Sequence, residues 1–419
     1  MEDSGMAAMA SSEGRAPSAG RAPSAGQAPS AGQAPSAGQA PSAGQAPSTD
    51  RDPSIDALRG LCLLGIAIVN VPWIGLNPYL PDLVWDDARR AALPVWDLLA
   101  ALFVEGLCEG KFYPQFAALF GLGAGILISR GRPAYARRLV ALLVFGVLHS
   151  VFGWWGDILL NYALLGFVLL AVERLPPRGI LAFSVLAMVV TTAVAIRFDT
   201  WFSPELREEA AREHAEYLAS ELRVYRDGGF LSISAHRWDE MLRFFSQYNW
   251  SYRLNTVAMG SFGLWLEKSG SLRRLLASPH HGRVAVALLV TGVLANASLA
   301  LYAGHYIPAG NLLAMGYAAG FLWLAKQPRL QPVRDLLVPI GRMAISAYLG
   351  QTVCFTLFFY GYGLGMYGHL GPAAALVVAT TVWSGEVIAA RLWLSRFAIG
   401  PVEWLWRSIT YLRAIPLSR

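Results

Sequence analysis

The chain has 419 residues, of which 55% are hydrophobic and only 15% charged, with a mean hydropathy of +0.41 and a formal charge of +6. A soluble globular chain carries roughly 25% charged residues, so this composition argues against the two or three soluble domains that the length alone would allow. The basic residues sit in short loops between apolar runs, a pattern that reads as membrane topology and not as a nucleic-acid surface.

Residues 1–52 stand apart from the rest. From Arg15 the sequence runs RAPSAG twice, QAPSAG three times and then QAPSTD. Proline recurs every six residues and there is almost no apolar bulk to bury, which predicts a disordered, partly polyproline tether. No signal peptide is expected, because the first apolar run begins near Ala57 with no charged start before an early apolar core.

After Pro53 about ten apolar runs approach the ~20 residues a bilayer span requires. They lie near 57–76, 112–129, 138–153, 157–173, 179–196, 252–267, 284–303, 309–325, 337–358 and 373–390. The stretch 95–108 is apolar but short and carries Asp97 and Glu105, so it reads as a re-entrant or interfacial helix. The predicted fold is therefore all-α, a polytopic transmembrane helical bundle, with residues 53–419 as one membrane domain.

Arginine and lysine alternate in register with these runs. Arg130, Arg132, Arg137 and Arg138 follow the second span, Arg174 and Arg178 the fourth, and Lys268, Arg273, Arg274 and Arg283 the sixth. Lys326, Arg329 and Arg334 follow the eighth, and Arg396, Arg407, Arg413 and Arg419 the last. The connections 154–156, 304–308 and 359–372 contain neither residue. The positive-inside rule then places both termini in the cytoplasm of a cell-membrane protein. One external loop is long, 197–251. It carries a helix start at Ser203-Pro204-Glu205, then Leu206, Ala210, Tyr217, Leu218, Leu222 and Tyr225 at helical spacing. That spacing predicts an amphipathic helix, lying on the bilayer surface or packed on the bundle.

Charges inside apolar spans are costly and are usually paired or functional. On the inner side Asp56 and Arg59 share a helical face and can pair; Glu403 and Arg407 form a similar couple. Glu386 needs a partner within the last span, and Arg391 lies within reach. On the outer side are Glu105 and Glu109, four apart, and then Lys111. His149 ends the third span, Trp154, Trp155 and Asp157 make the next turn, and Asn161 follows one turn on. Gln351 and Gly361-Tyr362-Gly363-Leu364-Gly365 complete the group. A histidine oriented by a carboxylate can act as a general base, and Asp157 or the 105–109 glutamates could orient His149. Asn70 stands alone in the first helix as a candidate interhelical hydrogen-bonding group. Gly121, Gly123 and Gly125 form a small-residue stripe that predicts a close helix contact. Cys62, Cys108 and Cys354 lie far apart in apolar surroundings and read as packing residues, with no metal-ligand spacing.

Several of these segments resemble the YeiB-type membrane proteins, a family of unknown function. The resemblance is carried by Asp56-Ala57-Leu58-Arg59-Gly60, by Glu109-Gly110-Lys111-Phe112, and by Arg137-Arg138-Leu139 through His149 to Trp154-Trp155-Gly156-Asp157. It continues in Gly341-Arg342-Met343-Ala344, Tyr348, Gln351, Gly361-Tyr362-Gly363-Leu364 and Gly400-Pro401-Val402-Glu403-Trp404-Leu405-Trp406-Arg407. It covers the chain from about Ser54 onward. That family is bacterial, is described loosely as transport-related, and is similar to a wider superfamily of membrane acyltransferases. The resemblance implies an acyltransferase that takes an acyl group from a cytosolic thioester and delivers it to an envelope glycan, lipid or metabolite. His149 would be its base, Asp157 or Glu109 the orienting carboxylate, and Lys111 the stabiliser of developing charge. Arg59, Arg137 and Arg138 would draw the acidic donor. Asn70 stands roughly where many acyltransferases carry a histidine. The other candidate binding residues are Asp56, Trp154, Asn161, Gln351, Gly363, Glu403 and Arg407. A small-molecule or lipid transporter or exporter is the alternative, and a membrane scaffold or sensor a third reading.

Overall fold

The computed structural model describes residues 52–76, 93–200, 220–243, 250–302 and 307–418, without the side chains of 196–200 and 298–302. The repeat tail, apart from Asp52, lies outside the described residues, as does most of the expected amphipathic helix at 206–225. Among the described residues the fold is helical throughout, with a single isolated bridge between Phe397 and Ser418.

Six helical stretches are long and apolar enough to cross a membrane: Pro53–Gly75, Val95–Arg130, Arg132–Phe152, Pro177–Ala195, Ile307–Leu324 and Pro372–Arg396. Leu159–Val172, His281–Ala297 and Ala344–Phe359 are apolar but shorter. That content marks a multi-pass membrane protein.

Helix α1 (Pro53–Gly75) starts under a cap, with Asp52 Oδ1 accepting from Ser54 N at 2.8 Å and proline at the first position. The short helix α2 (Val95–Phe103) passes through a π turn at Val104–Cys108 into a loop, and α3 spans Phe112–Arg130. Once the chain leaves α geometry at Val104, the 3.6-residue spacing that put Glu105 and Glu109 on one face no longer applies. Glu105 is half-buried and Glu109 exposed. Segment 95–108 is tied down at both ends. Asp97 Oδ1 accepts from Ala373 N at 2.9 Å, and Tyr317 Oη donates to Leu107 O at 3.2 Å.

Helices α4 (Arg132–Phe152), α5 (Leu159–Val172) and α6 (Pro177–Thr200) follow, then α7 (Phe230–Arg243) and α8 (Trp250–Lys268). The run expected as a span at 252–267 is this α8. It falls short of the six in apolarity because Asn255, Thr256 and Ser261 line its buried face. Buried among α3, α5 and α6, it can carry polar groups that lipid would not tolerate. Its contact with α3 is close: a Cβ on Gly121 would sit 1.8 Å from the Gly260 carbonyl oxygen, and one on Gly263 would sit 1.9 Å from that of Ala118. Of the expected glycine stripe, Gly121 and Gly125 make the contact, while Gly123 faces open space.

The C-terminal part comprises α9 (Ser271–Ala277), α10 (His281–Tyr302), α11 (Ile307–Leu324), α12 (Gln331–Arg342), α13 (Ala344–Phe359), α14 (Pro372–Arg396) and α15 (Pro401–Tyr411). The expected span at 337–358 is two helices that break at Met343. Glu403 lies at this break and caps α13, accepting from Ile345 N at 2.7 Å, Ser346 N at 3.1 Å and Ser346 Oγ at 2.5 Å. Helix α12 crosses α1 at backbone contact, since a Cβ on Gly341 would lie 1.7 Å from Asp56 O.

Candidate functional site

The polar centre of the bundle forms where α4 ends and α5 begins. His149 is the last titratable residue of α4, and the chain turns there with Gly153 N and Trp154 N both donating to its carbonyl. Asp157 then precedes α5. Its Oδ2 accepts from Leu160 N at 2.7 Å, satisfying one of the free donors at the helix start. Its Oδ1 is 2.7 Å from His149 Nδ1. The other ring nitrogen, Nε2, is 2.9 Å from Thr352 Oγ1 on α13. With Asp157 accepting from Nδ1–H, Nε2 is left as an acceptor aimed at the threonine hydroxyl. All three side chains are buried.

Two further groups hold this line. Tyr348, one turn before Thr352 on α13, donates from Oη to Asp157 Oδ1 at 3.5 Å and accepts from Ile158 N at 3.3 Å. Gly153 leaves room for the imidazole: a Cβ there would lie 3.0 Å from His149 Nε2 and 2.7 Å from its neighbouring ring carbon. Asn161 Nδ2 donates to Asp157 O at 3.2 Å, while its Oδ1 has no hydrogen-bonding partner. The buried indole nitrogen of Trp154 and the hydroxyl of Ser150 are likewise unpaired. Such groups mark a place where polar bonding capacity is unspent.

The structure therefore brings His149 and Asp157 into direct contact, with Asn161 bonded to the Asp157 carbonyl and Trp154 joined to His149 through its main-chain N–H. Thr352 and Ser150 were not anticipated. Thr352 follows Gln351 directly, but only the rotation of α13 against α4 reveals that its hydroxyl meets His149.

The remaining candidates occupy other places. Lys111 is buried and donates to Glu105 O at 3.1 Å, with Glu109, Cys108 and Glu105 as ionisable neighbours. Arg59 pairs with Asp56 at 2.6 Å, as expected. Arg137 Nε donates to Thr410 O at 2.9 Å, and the Arg138 guanidinium lies 3.3 Å above the Trp406 ring. Arg407 is beside that stack, an electrostatic neighbour of Arg138. Glu403 spends its carboxylate on the cap of α13. Gln351 Nε2 donates to Glu386 Oε2 at 2.9 Å, so the partner of Glu386 is this amide and not Arg391. Asn70 is half-buried on α1. Gly363 N donates to Tyr360 O in a turn that folds back on α13, where a Cβ would lie 2.0 Å from Leu357 O. The three cysteines are free thiols, Cys62 and Cys108 buried and Cys354 exposed.

A second polar cluster covers the loop end of α13. Tyr225 donates to Glu240, and Tyr367 donates to Glu221 Oε1 at 3.0 Å. Arg237, fully buried, donates to Phe152 O at 3.0 Å and to Tyr362 Oη at 3.3 Å. Its guanidinium lies 4.8 Å from the Tyr360 ring centre. Burial pushes the Glu221 carboxyl up to about 8, the Glu240 charge adding to the effect and the Tyr367 hydrogen bond opposing it. Tyr225, the described end of the expected amphipathic helix, is packed against protein here, beside Tyr360 and Tyr367. Through Phe152 this cluster reaches the end of α4, three residues beyond His149.

Residues 266–413 match the family model described as a protein of unknown function, DUF418. The uncharacterized protein YxaH of Bacillus subtilis (strain 168) is 30% identical over 386 residues, covering 87% of this chain and 95% of the relative. The uncharacterized protein YeiB of Escherichia coli (strain K12) is 30% identical over 388 residues, 86% of this chain and 97% of the relative. An uncharacterized 39.9 kDa protein from the amylase 3′ region of Bacillus acidopullulyticus is 24% identical over 370 residues, 87% and 94% respectively. No solved structure matches.

Proposed function

From the premise that the chain belongs to the DUF418 family, we propose that it is a transmembrane acyltransferase acting on an envelope glycan, lipid or metabolite. One observation carries the reading: the buried line Thr352 Oγ1, His149 Nε2, His149 Nδ1, Asp157 Oδ1, with bonds of 2.9 and 2.7 Å at its two ends. It has the parts of an acid–base site, a hydroxyl at the base and a carboxylate behind it.

In this reading Thr352 is the resting occupant of Nε2. An acceptor hydroxyl takes its place and gives its proton to Nε2 as its oxygen attacks the carbonyl carbon of an acyl thioester. The C–S bond then breaks, and the imidazolium returns the proton to the departing thiolate. Asp157 stabilises the imidazolium between these steps. Trp154 Nε1 and Asn161 Oδ1, a donor and an acceptor without partners, are suited to position the acceptor. About ten bilayer crossings with both termini cytoplasmic put the arginine-rich loops on the side of the donor.

Replacing His149 with alanine tests the reading. Envelope acylation, measured in cells that lack the native copy, should fall to background while protein level stays normal. Unchanged acylation would remove His149 from the mechanism.

A small-molecule or lipid transporter is the second reading. It is favoured by the amide pair inside the bundle, where Asn311 Nδ2 donates to Asn255 Oδ1 at 2.6 Å and Asn255 Nδ2 to Tyr113 Oη at 2.6 Å. Flux by purified protein in liposomes without any acyl donor would select it.

A further inference from the structure

Glu386 lies inside α14, fourteen positions after its first residue and ten before its last. The helix is one of the six stretches long and apolar enough to cross a membrane, and most of its apolar surface is not covered by protein. On the exposed face around Glu386, Val377, Ile388 and Leu392 of α14 and Val353 and Leu357 of α13 alternate with Thr380, Thr381 and Ser384, of which Thr380 and Ser384 turn their hydroxyls back onto the α14 backbone. A carboxylate at this depth would need a cation or several donors to remain ionised.

It has neither. Its one hydrogen bond is the neutral amide of Gln351, 2.9 Å from Oε2. That amide is fixed on its other side by Leu63 O at 3.4 Å. Oε1 is shielded from solvent and has no partner. It lies over Gly350, where a Cβ would come within 2.9 Å of it.

The surrounding charges are committed elsewhere or face away. On α1, Asp56 and Arg59 are bonded to each other. On α12, Arg334 pairs with Asp335 and Arg342 donates to Ala398 O. On α2, Asp97 caps α14. On α13 the neighbouring titratable group is the Cys354 thiol, which adds no positive charge. On α14 itself Arg391 is exposed, more than one turn beyond.

We propose that Glu386 is an intramembrane proton-binding site, a neutral carboxylic acid that accepts from Gln351 through Oε2 and carries its proton on Oε1. The neutral acid matches the groups present: one donor meets the carbonyl oxygen, and the hydroxyl rests against glycine. Ionising it without a partner would leave a bare charge in an apolar setting, so release of the proton must coincide with rehydration of Oε1. This does not depend on the acyltransferase reading.

The chemistry supplies a direct probe. A membrane-soluble carbodiimide reacts with a protonated carboxyl in an apolar setting. The acid proton passes to a carbodiimide nitrogen, a carboxyl oxygen bonds to the central carbon, and the acyl group then migrates to nitrogen. Nothing leaves, so the residue gains the whole reagent as a stable N-acylurea. The full-length protein in lipid nanodiscs would be treated with dicyclohexylcarbodiimide at about pH 7.5, where a solvated glutamate is ionised. Peptide mass spectrometry should place the adduct on Glu386, and a water-soluble carbodiimide should give none there. An unmodified Glu386 in a peptide that is otherwise recovered would overturn the proposal, as would equal labelling by the water-soluble reagent. Glu386→Gln, which mimics the neutral acid, should keep the thermal midpoint of the parent. A fall of several degrees would show that the ionised form is the one the fold requires.

Discussion

His149 Nδ1 and Asp157 Oδ1, eight positions apart in sequence, meet at 2.7 Å, while the second oxygen of the same carboxylate caps α5 through Leu160 N. One side chain thus fixes both the helix start and the orientation of the imidazole. Any motion of α5 relative to α4 is felt at the ring.

Asp157→Asn should separate these two duties poorly, because both depend on the carboxylate. Acylation should fall by at least ~100-fold, the lower range for a general acid–base group, and the thermal midpoint should drop. Thr352→Val should lower stability by about 1 kcal/mol, the value of one hydrogen bond, because Nε2 then loses its partner. Complementation assays and thermal unfolding in detergent measure the two. Wild-type acylation with Asp157→Asn would rule out the carboxylate as the orienting group.

Helix α3 offers an internal contrast. Gly121→Ala should cost about 1–3 kcal/mol, as overpacking does, because its new methyl meets the Gly260 carbonyl. Gly123→Ala, two positions on and facing open space, should be neutral or slightly stabilising. Thermal shift of the two purified variants checks this. Equal effects would mean that the α3–α8 contact is not as close as described.

Glu403→Ala should destabilise the break between α12 and α13. Three donors converge on this carboxylate, and each hydrogen bond to a charged group is worth about 1.5–3 kcal/mol when made well. The loss should appear as a lower thermal midpoint and faster hydrogen exchange at Ile345 and Ser346. Unaltered exchange there would argue that the cap contributes little.

The cluster at 220–243 should loosen as pH rises. Glu221 moves from an ordinary 4.5 to about 8 on folding, chiefly through burial. His236 also rises above its ordinary 6.5; burial opposes its charge, but hydrogen bonding and attraction to Glu240 outweigh that. A group whose folded value is raised stabilises the fold fully below its unfolded value and loses that contribution as pH climbs through the folded one. The Glu221 contribution therefore declines from about pH 4.5 to about pH 8, and the His236 contribution from pH 6.5 upward. Hydrogen exchange of 220–243, corrected for intrinsic rates, should be faster at high pH, and Glu221→Gln should flatten the dependence. Slower exchange at high pH would reverse the assignment.

The sequence by itself determined the helical membrane class, because twenty-residue apolar runs leave few other ways to satisfy the backbone. It also placed the charges that matter: Asp56 beside Arg59, His149 near Asp157, and a glutamate at 386 within the last span in need of a partner. These are local or compositional facts, readable from spacing along one helix. Only the tertiary structure decided the partners across helices. Gln351, not Arg391, meets Glu386; Thr352 closes on His149; Glu403 caps α13; and α8 tolerates Asn255 because protein surrounds it. Each depends on the rotation and depth of one helix against another. That geometry is set by side-chain packing and by close glycine contacts such as Gly121 with Gly260, and the hydrophobic pattern of a single helix does not specify it.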